Sequence, residues 1–409
     1  MPVTVSYPGV YIEELPSGVH SITGVATSIT AFIGSAARGP VNQPITINSY
    51  ADYDRAFGGL SQSSTMSFAV SDFYANGGSQ AVIVRLTHTD AAAATIALGE
   101  DTAVTATAGL TGNGNSLVLV AASTGLWANF LTAMVDTTTR RNSDGSVDPS
   151  LFNLTLALSD ATGNALATEA YLNCSVDPAS PRSIVTVLAQ NSALAFVQTD
   201  NPGQPSGKPL VPNVRPLATY DTTVTPNKPA PKASDKAGKD GSALSVNDFT
   251  GSGLAANKQG LYALETVDLF NLLCIPPYLS TGDVDTGLVG SAATYCEGRR
   301  AFYLVDPPSG WTNLQNALKD FTDATTDHVG TKSANAAIYF PRINEQNPLL
   351  DNQLQTFVPC GALAGIYART DAQRGVWKAP AGQETVLNGV VQLSVSLTDA
   401  ENGNSIRWA

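Results

Sequence analysis

Three short apolar runs, each cut off by proline, set the frame of this chain. Residues 268–275 carry Leu269, Phe270, Leu272, Leu273, Cys274 and Ile275 and stop at Pro276 and Pro277. Residues 300–305 carry Phe302, Tyr303, Leu304 and Val305 and stop at Asp306, Pro307 and Pro308. Residues 336–340 carry Ile338, Tyr339 and Phe340 and stop at Pro341. Apolar runs without polar alternation fit strands covered on both faces, as in a parallel sheet. Proline donates nothing to a ladder and so ends a strand. Between the first two runs, Leu288, Val289, Ala292, Tyr295 and Cys296 share one helical stripe behind a candidate N-cap at Asp285. Between the second and third, Leu314, Leu318 and Phe321 share another behind Thr312. Strand, helix, strand, helix, strand predicts an α/β core built on an open, parallel or mixed sheet with right-handed crossovers.

The rest of the chain extends that sheet or interrupts it. Residues 28–33 read as a strand ending at Gly34, and Ser49 with Asp52 resembles a capping box. Met66, Ala69, Val70 and Phe73 recur at helical spacing, and residues 80–86 read as another strand. The expectation is a core discontinuous in sequence, with residues 23–88 and 254–409 as its two parts. In the second part, residues 359–367 read as a further helix and residues 389–395 as a strand. Residues 89–200 turn to Thr, Ser, Ala, Val and Leu, with strand-like runs at 116–120, 130–135, 152–158 and 183–187 separated by glycine-marked turns. They predict an inserted β-rich domain. Residues 201–253 are crowded with Pro, Gly, Lys and Ser and predict a linker or surface loop. In residues 1–22, Val3, Val5 and Tyr7 alternate, Pro8 and Gly9 turn the chain, and Val10, Tyr11, Ile12 and Glu13 resume an extended pattern. This segment reads either as an arm that pairs elsewhere or as an edge strand of the chain's own sheet.

The chain has 409 residues, a net charge of −12, 43% hydrophobic and 14% charged residues. That length allows two or more domains. An acidic chain without clustered Lys and Arg is poorly suited to phosphate backbones or anionic lipid, which sets aside nucleic-acid binding. No apolar stretch is long enough to span a bilayer, so membrane anchoring is not expected, and the first residues lack the pattern of a secretory signal. So sparse a charged surface leans toward faces covered by partners.

Catalytic and cofactor patterns do not emerge. Gly203, Gly207 and Lys208 stand in P-loop order, but with three residues between the glycines and Pro209 after the lysine, where the motif needs four and then Ser or Thr. The three histidines, His20, His88 and His328, lie in no catalytic motif, and no Gly-x-Ser-x-Gly occurs. The four cysteines, Cys174, Cys274, Cys296 and Cys360, never form Cys-x-x-Cys, which argues against a zinc or redox site. No metal or cofactor is expected. Cys274, Cys296 and Cys360 fall in apolar segments and read as core thiols, whereas Cys174, in a polar extended segment, predicts an exposed and most reactive thiol. Tyr295, Tyr303 and Tyr339 fit core packing better than a stacking platform. Arg369, Asp371, Arg374 and Lys378 around Trp377 read either as a solvated loop or as a salt-bridged loop at an interface, where Arg and Trp are favoured.

Several stretches together resemble a known family. Tyr7-Pro-Gly-Val-Tyr-Ile-Glu-Glu14, followed by Val25-Ala-Thr-Ser-Ile-Thr-Ala-Phe-Ile-Gly34, is similar to the start of contractile tail sheath proteins of bacteriophages and related injection systems. Ala75-Asn-Gly-Gly78, Gly365-Ile-Tyr-Ala-Arg-Thr-Asp371, Arg374-Gly-Val-Trp-Lys-Ala-Pro380 and Leu397-Thr-Asp-Ala-Glu401 resemble later signatures of the same family. The resemblance implies a subtilisin-like but non-catalytic α/β core with outward-facing insertions. It also implies hexameric rings of like subunits stacked around an inner tail tube protein, bounded by baseplate and tail terminator proteins. Such a stack contracts to drive the tube through a cell envelope. The implied location is a virion tail assembled in the host bacterial cytoplasm. Sheath proteins normally continue past the Leu-Thr-Asp-Ala-Glu stretch into a C-terminal domain, whereas this chain ends eight residues after Glu401. The expectation is therefore a partial chain, or another subunit carrying that role. Two other readings stay open: an α/β hydrolase-like or nucleotide-binding enzyme with a β-rich accessory domain, and a passive surface or baseplate module.

Overall fold

A computed structural model of the chain describes residues 27–104, 115–200, 207–221, 228–279, 282–323 and 325–406. The first part of the core comprises β1 (Thr30–Gly34), β2 (Ile45–Ile47), α1 (Tyr50–Phe57), α2 (Thr65–Ala75) and β3 (Ala81–Arg85). β1 and β3 run parallel in register from Thr30 opposite Ala81 to Gly34 opposite Arg85, and both are buried along their whole length. α1 starts where Ser49 accepts the Asp52 N–H on its side chain, while the Asp52 carboxylate accepts the Asn48 N–H. It stops at Gly58, whose φ of 90° is a left-handed value that favours glycine.

The insertion runs through β4 (Thr95–Gly99), β5 (Ser116–Ala121), β6 (Leu131–Asp136), β7 (Leu151–Ser159), β8 (Ala165–Ser175), α3 (Ile184–Asn191) and β9 (Ala195–Val197). β4, β5 and β9 form one antiparallel sheet, and β6, β7 and β8 belong to another. Burial alternates along β5 and β6, as it does in strands with one face inward. The inner faces of both sheets share one core, including Leu117, Leu119, Val135, Phe152 and Leu156. Residues 183–187, read from sequence as a strand, instead open α3. Ile184, Val187 and Leu188 are buried at the i, i+3, i+4 spacing of a helix, and so short a run does not separate the two periods.

Then come β10 (Tyr220–Asp221), β11 (Lys228–Pro229), β12 (Lys232–Ala233), α4 (Val246–Thr250) and α5 (Leu254–Asn257). Where residues 201–253 are described, they are not a free linker. β12 pairs with β6, the Asp235 carboxylate accepts the Ala97 N–H at 2.7 Å, and Asp240 accepts the Leu126 N–H at 2.7 Å. Phe249 is fully buried in the main core. The backbone of this Pro- and Lys-rich stretch is irregular, and it finds its partners on the insertion's strand edges.

The second part of the core follows: β13 (Leu272–Cys274), α6 (Thr286–Arg299), β14 (Phe302–Val305), α7 (Leu314–Phe321), β15 (Ala336–Ile338), β16 (Ile343–Asn347), β17 (Gln353–Phe357), α8 (Cys360–Arg374), β18 (Val390–Leu393) and α9 (Asp399–Ile406). The three proline-ended runs are β13, β14 and β15. They join the first part in a sheet ordered β15-β14-β13-β1-β3-β2, parallel except for β2. Ala31, Ile33, Val82 and Val84 pack with α6 and α4 on one face, and Phe32, Ala81 and Ile83 with α1, α2 and α8 on the other. With both faces covered, apolar continuity rather than alternation is what such strands require. Asp285 does precede α6, but its carboxylate is taken by the Tyr278 hydroxyl rather than by the helix. At α7 the cap is Asn313, accepting the Asn316 N–H at 2.8 Å, not Thr312. β17, β16 and β18 make a separate antiparallel sheet. The protein is thus mixed α/β with several sheets.

All four cysteines are free and buried. Cys174 is 0% exposed, which corrects the exposed thiol expected from its polar neighbours. It lies opposite Phe152 in the β7–β8 ladder and points inward while Leu172, two residues earlier, is 58% exposed. An irregularity in the ladder register lies between these positions. Such a shift changes which face a strand residue occupies, and residue polarity alone does not reveal it.

Candidate interaction surface

In an open α/β sheet a ligand sits beyond the carboxyl ends of the strands, where the strand order reverses. Here that point lies between β1 and β13, and the turn before α2 fills it. The Ser64 hydroxyl donates to the Ser35 carbonyl and the Thr65 hydroxyl to the Pro277 carbonyl. A neighbouring cavity of about 340 Å³ is lined by Arg85, His88 and Ser242 among others. Arg85 is 1% exposed and spends its guanidinium on the carbonyls of Ala36, Gly39 and Thr124; burial lowers its pKa to about 10. Through these three bonds it ties β3 to the insertion.

His88 Nδ1 lies 2.7 Å from Asp90 Oδ1, and the Ser242 hydroxyl donates to Asp90 Oδ2 at 2.7 Å. Serine and imidazole therefore sit on the same carboxylate instead of on each other, so the contact that activates a serine nucleophile is not made there. His328 faces Asp323 at 3.3 Å. Among the described residues no three His, Cys, Asp or Glu side chains are placed to hold a metal ion, and no helix is long and apolar enough to cross a membrane.

The charged cluster around Trp377 divides between a helix and a loop. Arg369, Asp371 and Arg374 ride the last turns of α8, and Trp377 and Lys378 lie beyond its end at Gly375. Each charged side chain has a partner. Arg369 donates to the Val386 carbonyl at 2.8 Å, Arg374 meets Glu384 at 2.7 Å, and Asp371 accepts the Ser28 hydroxyl at 2.6 Å. Lys378 reaches the Ala379 and Ala381 carbonyls at 3.3 Å. Trp377 is 85% exposed with its ring over Gly375, where an added Cβ would lie 2.4 Å from the ring. The charges therefore shape the loop that presents the tryptophan. Val376, Val386 and Val391 are exposed in the same stretch of chain. The other predicted residues, Val5, Tyr7, Val10, Tyr11, Ile12 and Glu13, lie outside the described residues.

Two motifs quoted above come together behind that loop. α8 packs on α2 through Gly361 and Gly365, where an added Cβ would lie 2.0 Å from the Ala69 carbonyl oxygen and 2.5 Å from that of Phe73. Gly77 lies against Arg369, with 2.8 Å between its Cβ position and the arginine Cβ. Asn76, fully buried, holds Asn388 at the far end of the loop. Sequence reasoning singled out neither asparagine for a role. The available signal was Asn76's position inside a quoted motif. Arg85 and the buried Asp72 of α2 were likewise missed; Asp72 was detectable as the lone charge in an apolar helix.

No protein-family model and no curated protein matches the sequence. Solved structures do match. A sheath tail protein of Listeria innocua superposes with a TM-score of 0.55 at 13% identity, over 94% of this chain and 64% of that one. A sheath tail protein of Desulfitobacterium hafniense gives 0.51 at 16% identity, over 98% of this chain and 70% of that one. The chain spans less than two thirds of the length of the first of these neighbours. It has the fold of sheath tail proteins.

Proposed function

We propose that the chain is a structural, non-enzymatic subunit of a contractile tail sheath. The observation that carries this reading is the fold shared with two sheath tail proteins over 94% and 98% of the chain. On this reading, copies stack as hexameric rings in an open helix around an inner tail tube protein. Contraction of the stack drives the tube through a cell envelope, with baseplate and tail terminator proteins at the two ends. Assembly takes place in the host bacterial cytoplasm, and the product works in the virion tail. The core, residues 23–88 and 254–409, plays the part of the subtilisin-like, non-catalytic body, with residues 89–200 facing outward. Residues 1–22 add a strand to a neighbour's sheet, gaining main-chain hydrogen bonds only on assembly. Arg369, Asp371, Arg374, Trp377 and Lys378 belong to a contact between subunits. The energy of such a machine resides in the lattice, since head-to-tail contacts build an open helix and a barrier holds the extended form.

Electron microscopy of the purified chain, alone and with its tube protein, tests this. Rings or tubular polymers are expected. A chain that stays monomeric at high concentration and melts higher with a nucleotide, or turns over an ester, would replace this reading with the enzyme reading.

A further inference from the structure

α2 and the β17-β16-β18 sheet are nearly free of charge. Within α2 the sole Asp, Glu, Lys, Arg or His is Asp72; across the three strands it is Glu345. Both are buried, at 9% and 7% exposure, and their carboxyls interact with one another. Asp72 Oδ2 and Glu345 Oε1 are both buried without a hydrogen-bond partner.

Among the described residues the surroundings bring the pair no compensating cation. β1 is uncharged, and α8 meets α2 through Gly361 and Gly365. Gln355 and Val390 lie opposite Glu345 on β17 and β18. From α1 comes Tyr50, whose phenol is pushed up to about 12 by burial and by Asp54 and Asp72. Arg342, one position before β16, donates to the Pro307 carbonyl and to Asp283. Arg369 and Arg374 of α8 are taken by Val386 and Glu384. Two ionised carboxylates hold only acceptors and cannot bond to one another, whereas one proton turns one of them into a donor and satisfies both.

We propose that Asp72 and Glu345 share a proton and form a latch that holds the three-stranded sheet against α2, released when the proton is lost to solvent. Burial, followed by each other's proximity for Asp72, raises both carboxyls above their usual range, the direction a shared proton requires. The latch is closed at low pH and opens as pH rises. Its opening loosens β18, which begins two residues after Asn388, and so reaches the loop that carries Trp377. The device stands whether or not the chain builds a sheath.

Hydrogen exchange of the full chain across pH 6–9, corrected for intrinsic rates, tests it. The opening constant of residues 343–357 and 390–393 should rise about tenfold per pH unit above the titration of the pair, as loss of one proton requires. Asp72→Asn and Glu345→Gln should each flatten that rise. Infrared spectroscopy in an Asp306→Asn background gives a readout independent of stability. A protonated-carboxyl stretch at neutral pH should be present there, and lost when Asp72→Asn is added. An unchanged pH profile in both variants, or absence of that stretch, overturns the proposal. So does protection of the sheet by calcium or magnesium at pH 8 that Glu345→Gln abolishes, since a cation would then stand where the proton was placed.

Discussion

Asn76 and Asn388, 312 positions apart, hold one another by reciprocal hydrogen bonds. The Asn388 N–H donates to Asn76 Oδ1 at 2.7 Å, and Asn76 Nδ2 donates to the Asn388 carbonyl at 3.1 Å. Asn388 Nδ2 also reaches the Ala75 carbonyl at 3.0 Å. One end of α2 thereby anchors the far end of the loop that begins at Gly375. Asn76→Ala removes a fully buried side chain that accepts the Asn388 N–H and donates to the Asn388 and Asp72 carbonyls, and should cost about 1–3 kcal/mol. Denaturant unfolding measures that loss, and limited proteolysis should show faster cleavage between residues 375 and 389. A loop cut at the wild-type rate would mean that Arg369 and Arg374 alone hold it.

The α2–α8 contact makes a sharper demand. A methyl group at Gly361 would sit 2.0 Å from the Ala69 carbonyl oxygen and at Gly365 2.5 Å from that of Phe73. Backbone cannot yield as a side-chain tip does, so the helices must separate. Gly361→Ala and Gly365→Ala should each destabilise by roughly 1–3 kcal/mol or more, despite alanine's better helix propensity. Gly298, in α6 with open space around it, serves as the control, and Gly298→Ala should be neutral or stabilising. Equal effects at all three positions would refute the close approach.

Asp306 gives the chain a second pH dependence. Its Oδ1 accepts the Cys360 N–H at 3.0 Å while Oδ2 has no partner. Burial pushes its pKa up to about 7, against the lowering effects of the Cys360 contacts and Arg342. A carboxyl raised on folding binds its proton more tightly in the native state. Its contribution is fully present below the ordinary carboxylate pKa and is lost as pH rises through about 7. Thermal stability should therefore fall between pH 5 and 8, and Asp306→Asn should remove part of that slope. A variant with the wild-type slope would assign the whole effect to other groups, Asp72 and Glu345 first.

The thiols offer a direct check on the core. With all four cysteines buried, and burial raising the thiol pKa of each, a thiol reagent should label the native protein slowly and the unfolded protein at four sites. Fast labelling of Cys174 ahead of global unfolding would place the end of β8 wrongly.

What could be read before the structure was local. β13, β14 and β15 were legible because proline ends a strand whatever lies around it, and α6 because its stripe repeats over 14 residues. The helix at 184–191 was missed because its apolar start is too short to distinguish two periods. Cys174 and the packed stretch 228–253 were missed because burial there depends on register and on a distant strand edge. The Asn76–Asn388 bond and the Asp72–Glu345 pair join residues far apart in sequence, and nothing in either segment alone names the other. The tryptophan loop was singled out by composition, but the partners of Arg369, Asp371, Arg374 and Lys378 within the chain were not.

Trp377 separates the role of this surface from the stability of the fold. It is 85% exposed, whereas Trp311 is 6% exposed and donates its ring N–H to Asp320. Replacing an exposed side chain usually changes stability by no more than about 0.5 kcal/mol, whereas emptying a buried aromatic site costs about 3–5. Trp377→Ala should thus unfold like the wild type in denaturant, and Trp311→Ala should not. If the loop is a subunit contact, Trp377→Ala should also raise the concentration at which rings or polymers appear in sedimentation and electron microscopy, because an aromatic anchor at an interface commonly carries 2 kcal/mol or more of binding, roughly a thirtyfold change. Deleting residues 1–20 provides the comparison, with monomer melting nearly unchanged and association between rings abolished. Normal assembly by Trp377→Ala together with failure of the arm deletion would move the contact away from this loop and leave the arm as the sole link.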